Sequence, residues 1–137
     1  MILMQINVSI DIADACQQAL NDSGTHACAR PLPHDLKANL PITLVESIGG
    51  GERTARVLDR FPIRLTTWAE TPAEAVAEAN LAMARLAAYE GRRIGGVQCY
   101  RVTPLSTPYE PVDPNHPDIP RAIQTAHLWV RTITTDE

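Results

Sequence analysis

The residues of this chain with the most chemical potential are three cysteines, four histidines and the acidic groups near them. Cys16, Cys28 and Cys99 form an odd set with no C-x-x-C spacing. That pattern fits reduced thiols inside a cell better than a disulfide framework. His26-x-Cys28 with His34 nearby offers three metal donors. The spacing matches no zinc signature, and Gly24, Pro31 and Pro33 interrupt it. Asp113, His116 and Asp118 gather two carboxylates and an imidazole, the groups of general acid–base catalysis. Their segment is polar throughout, so such a trio is expected there without catalysis. His26, His34, His116 and His127 are otherwise scattered, and neither G-x-S-x-G nor H-E-x-x-H occurs. Gly49-Gly50-Gly51-Glu52-Arg53-Thr54 invites comparison with a phosphate loop. It lacks the G-K-[ST] ending and opens no helical pattern, so a hairpin turn is predicted instead. No catalytic residue, cofactor or metal ligand is assigned.

The elements that must position these groups are clearer. Ile63 to Trp68 alternates with period 2, which predicts a strand. After Ala69-Glu70 comes a complete helix start: Thr71 as N-cap, Pro72 at the first helical position and Glu74 closing a capping box. The hydroxyl cap alone is worth about 1 kcal/mol. Val76, Ala79, Met83, Leu86 and Ala87 form the apolar stripe of a helix predicted over 72–90. Gly91 follows as the left-handed residue that ends it. An earlier helix is predicted from Ser9 or Ile10 to Leu20, with residues 1–8 as an extension. Ile42 to Ile48, Val97 to Thr103 and Ala122 to Ile133 read as further strands. In the last, Ala122, Gln124, Ala126, Leu128 and Val130 face the helices. Ile123, Thr125, His127, Trp129 and Arg131 face the other way, and Trp129 marks a candidate contact surface.

Two stretches stand apart. Ala55 to Trp68 reads as continuous extended chain with Arg56, Arg60 and Arg64 along it. Pro62 has no N–H for a ladder, so this strand is expected at a sheet edge or bulged at that point. The arginines then either protect a solvated edge or meet an acidic neighbouring subunit. The second stretch, 104–120, holds six of the eleven prolines. Pro111, Pro114, Pro117 and Pro120 recur every third residue, the polyproline II repeat. This long segment is either a stiff crossover on its own subunit or an arm laid on a neighbour. Pro108, Tyr109, Pro111, Pro114 and Pro117 are its candidate contact residues.

The bulk numbers suit one α+β domain. The chain has 137 residues, 45% of them apolar but only 4% aromatic, and a net charge of −4. A net acidic chain has no global basic field for nucleic acid, though a local basic patch is compatible with it. The apolar start Met1-Ile2-Leu3-Met4 is too short for a signal peptide or a span, so a soluble intracellular protein is expected.

The element order resembles the tail terminator, or tail completion, proteins of long-tailed bacteriophages and prophages. The echoes are Leu40-Pro41-Ile42-Thr43-Leu44-Val45 with Ile48-Gly49-Gly50, then Leu65-Thr66-Thr67-Trp68-Ala69 with Glu74-Ala75, and Pro108-Tyr109 with Asp113-Pro114-Asn115. The resemblance implies a four-stranded mixed or antiparallel sheet with two helices packed on it, in the order helix-β-β-helix-β-β. It also implies a structural protein of the virion, assembled in the host cytoplasm. Six copies would form a ring on the finished tail tube, stop its growth and present a face to the head connector. DNA would pass through the lumen without specific contacts. Another head–tail joining protein, or a small ligand-binding domain or enzyme, remains the alternative.

Overall fold

The computed structural model describes residues 4–29 and 31–136; the apolar start at residues 1–3 lies outside them. Two helices, α1 (Ile12–Asp22) and α2 (Pro72–Ala87), pack on one face of a sheet, giving the expected α+β class. The long strands are β3 (Ile42–Ser47), β5 (Leu58–Trp68), β7 (Val97–Pro104) and β8 (Arg121–Arg131). Around these, β2 (Ala27–Cys28), β4 (Glu52–Thr54) and β6 (Arg93–Ile94) complete a seven-stranded sheet of order β2-β3-β5-β8-β7-β6, with β4 also on β5. All neighbours are antiparallel except β2 and β3, so the sheet is mixed. The four-stranded expectation is corrected to seven, because strands of two or three residues are too short to show a period. A separate ribbon pairs β1 (Gln5–Val8) with β9 (Ile133–Asp136).

Local chemistry sets the helix ends. Asp11 caps α1 by accepting the Asp14 N–H at 3.2 Å, so the helix starts after it rather than at Ser9 or Ile10. Thr71 accepts the Glu74 N–H at 3.1 Å and Pro72 opens α2, as expected. The reciprocal bond from the Glu74 carboxylate is absent among the described residues, so the capping box is half-formed. The helix ends at Ala87, before the predicted Glu90. Gly91 is left-handed at φ 83°, but its N–H reaches the Cys99 carbonyl of β7 at 2.8 Å. The glycine therefore ties the helix exit to a strand. The α2 residues Ala82, Met83 and Leu86 are buried with Val45, Leu65, Leu128 and Val130 in the main core, while Ala75 and Ala79 pack on Ala69 and Ala122 in a smaller one. Buried Gln124 of β8 donates its amide to the Ala79 carbonyl, pinning α2 to the sheet.

The chain between β3 and β5 departs most from expectation. Residues 42–47 and 52–54 run along the same side of β5, which is a central strand with β8 on its other side. It is not an edge. Four residues, 48–51, bulge opposite Phe61 and Pro62, and the Ile48 N–H reaches the Pro62 carbonyl at 3.1 Å. N–H and C=O of one strand residue point to the same side. The missing N–H of Pro62 therefore faces the bulge, where no ladder bond is lost. Gly51 lies so close to β5 that a Cβ there would sit 2.7 Å from the Arg60 carbonyl oxygen. The reversal itself is not at the glycines. It is at Ala55 and Arg56, both left-handed (φ 52° and 66°), a strained conformation without the Asn-Gly signature of such turns.

The proline segment lies on its own sheet, over the face away from the helices. Tyr109 and Ile123 exchange backbone bonds of 3.0 and 2.8 Å, and the Leu105 N–H reaches Thr125 at 2.9 Å. Ile119 joins Leu36, Ile42 and Trp68 in a second core. The three-residue proline period is not a polyproline helix here. His116 N–H bonds to Asp113 O at 3.1 Å, and Ile119 N–H to His116 O at 3.0 Å. These are two tandem β-turns sharing His116, with Pro114 and Pro117 each at the second turn position, which proline's fixed φ favours.

Candidate functional site

The acidic trio does not converge. Asp118 instead meets Lys37 at 2.9 Å on the surface. Asp113 is buried and engaged by three hydrogen-bond partners and one nearby charge. Oδ2 takes the Trp68 Nε1–H at 3.0 Å and sits 3.0 Å from His116 Nδ1, while Oδ1 takes the Asn115 N–H at 2.9 Å. Arg121 adds its charge 4.0 Å away and holds the loop by donating to the carbonyls of Pro111 and Val112. Burial alone would raise the Asp113 carboxyl, but the bonds from Asn115, His116 and Trp68 and the Arg121 charge outweigh it and hold it low. A carboxylate so fully engaged is an anchor for the loop rather than a free base. The cleft beside it, about 330 Å³, is open and runs along Leu44, Arg64 and Thr66.

The other chemically potent groups are also tied up. Arg53 holds buried Asp59 through Nε at 2.7 Å and a second nitrogen at 3.2 Å, and also donates to Ser9 Oγ and the Asn7 carbonyl. Desolvation pushes the Asp59 carboxyl up, and the bonds from Arg53 and Ser9 bring it below its ordinary value. This node fastens the N-terminal strand to the β4–β5 hairpin. Cys16 and Cys99 are buried in the main core, where desolvation pushes both thiols up, and Cys28 is half-buried and raised for the same reason. Among the described residues no cluster of three metal-capable side chains exists, so His26, Cys28 and His34 are not brought together.

What the fold does assemble is a basic, aromatic strip on the open sheet face. Strand register places Arg60 opposite Trp129 and Trp129 opposite Arg101, then Pro62, His127 and Thr103 in the next row, and Arg64 with Thr125 beyond. The Arg101 guanidinium lies 5.5 Å over the Trp129 ring, a cation–π distance, and His127 meets that ring edge-on at 5.7 Å. Desolvation lowers the His127 pKa, and the Arg60 charge lowers it further. Arg64 bonds Glu46 at 3.2 Å, and Arg60 lies 3.9 Å from Glu52 with a buried Nε that has no partner.

The proposed contact residues thus fall into three places. Arg60, Arg64 and Trp129 share the strip. Pro108, Tyr109, Pro111, Pro114 and Pro117 lie on the loop that covers the other end of the same face. Arg56 sits at the tip of the β4–β5 hairpin, apart from both. Arg60 and Arg64 belong to a central strand, not to the expected edge. Sequence reasoning missed Arg101. Strict alternation puts it with buried Cys99, but a bulge between Cys99 and Arg101 turns it to the open face. No protein-family model matches the chain, and no curated protein matches it.

Proposed function

We propose that this protein is a tail terminator of a long-tailed bacteriophage or prophage. In this reading it is a structural subunit, not an enzyme, and uses no cofactor. About six copies form a ring on the tail tube, halt tube growth and offer a face to the head connector, while DNA passes without specific contacts. The protein acts at the head–tail interface of the virion, after assembly in the host cytoplasm, without a membrane.

The observation that carries the reading is the order of the long elements: α1, β3 and β5, capped Ala-rich α2, β7, the Pro/Asp loop and β8. Those elements hold the residues that echo the family. The state of the reactive groups supports it as well. Asp113, Asp59 and the core thiols are bonded or buried in structural roles, and the open face is broad and charged rather than a deep pocket. The cleft beside His116 and Asp113 favours a second reading, a small-ligand site. Another head–tail joining role would share the ring.

The test is a capping assay. Tail-tube protein polymerising in vitro is mixed with this protein, and tube lengths are measured by electron microscopy. Tubes that stop growing and carry a ring at one end support the terminator. Unaltered lengths with no bound protein reject it.

A further inference from the structure

We infer that the basic strip around Trp129 docks on the outer face of α2 in a second copy of this chain. The inference rests on the ring-forming reading, and it names the two surfaces that would meet.

The first support is charge. The open face carries Arg60, Arg64, Arg101 and Arg131, against Glu46 and Glu52. Among the described residues, Arg101 and Arg131 meet no carboxylate within ion-pair distance. On the opposite side the start of α2 is acidic, while Arg85 in its last turn is engaged by Thr25. Glu74 and Glu78 lie in the first two turns of α2 and, among the described residues, likewise meet no cation within ion-pair distance. The unpaired charges of the strip and of the α2 start thus have opposite signs. Such a molecule is complementary to itself only head to tail.

The second support is apolar. Opposite its buried side, α2 exposes Ala73, Ala77, Leu81 and Ala84, spaced three or four residues apart on one face. Leu81 is 45% exposed at the centre of this low surface. The open strip presents Trp129, half-exposed and flanked by Arg101, as the large group such a surface lacks. The proline loop covers the Trp68 end of the sheet face and leaves the Trp129 end free. Contact between a face of one subunit and a different face of the next is heterologous, and it closes into a ring when its rotation permits.

Two variants test this without touching the core. One carries Arg101→Glu with Arg131→Glu; the other carries Glu74→Arg with Glu78→Arg. Circular dichroism checks that each folds, and light-scattering mass is followed against concentration. Each variant alone should need about tenfold or more concentration to assemble, because like charges then face each other. An equimolar mixture should assemble like the wild type, since acidic strip then meets basic helix and the unaltered surfaces also match. If the wild type forms rings and both variants do so equally well, the docking surfaces are wrong while the ring reading stands. If the wild type stays monomeric at every concentration, the docking is overturned, and the capping assay alone decides the function. Loss of single-stranded DNA binding in the Arg101/Arg131 variant, with assembly unchanged, would assign the strip to nucleic acid instead.

Discussion

The indole N–H of Trp68 donates to Oδ2 of Asp113 across 3.0 Å, joining the end of the central strand to the middle of the proline loop. Both residues are buried, so the loop's position depends on a bond that water does not replace. Asp113→Ala should cost about 2–3 kcal/mol, since it removes charge-assisted bonds and leaves the buried indole N–H unpaired. Urea unfolding followed by tryptophan fluorescence would show a lower midpoint with little change in slope.

Acid should weaken the same anchor. The folded carboxyls of Asp113 and Asp59 titrate below the ordinary value of 3.8. The unfolded chain therefore takes up these protons first. Their stabilisation is complete above that ordinary value and is lost as pH falls through the folded one. Unfolding free energy measured from neutral pH downward should fall steeply below about pH 4, and less steeply in Asp113→Asn.

His127 acts in a higher window. Its folded pKa lies below the ordinary 6.5, because it is desolvated and sits near Arg60. The neutral ring is the form the strip accepts. Its contribution is present above pH 6.5 and declines as pH falls through the folded value. NMR titration should find His127 below 6.5, and His127→Gln should flatten the stability profile in that range.

Glycine changes two residues apart should separate. Gly51→Ala places a methyl 2.7 Å from the Arg60 carbonyl oxygen and forces backbone to move. A loss of about 1–3 kcal/mol is expected. Gly49→Ala meets nothing within 4 Å and should leave the thermal midpoint almost unchanged.

The parts of this fold legible in the sequence are those with a local signal. Thr71-Pro72 announced α2, the run from Val97 to Thr103 announced β7, and the alternation from Ala122 to Val130 sorted the two faces of β8 correctly. The parts that escaped are set by distant neighbours. The turn at Ala55-Arg56 has no turn residues, and it is held by pairing of β4 with β5. The two-residue strands have no period to read. The proline repeat fits both a polyproline helix and tandem turns, and the bonds to Trp68, Ile123 and Arg121 decide for the turns. At the candidate surface, Trp129, Arg60 and Arg64 were identifiable by type. Arg101 was not, because a bulge inverted its face. The Arg53–Asp59 node was hidden in a run of arginines.

Ring formation is the central claim, and mass tests it most directly. The full chain would be measured by light scattering over a wide concentration range, with negative-stain microscopy of the densest sample. Annular particles of about six subunits are predicted, as closed cyclic assembly requires. A strict monomer that forms no rings even when purified tail tubes are added would contradict it.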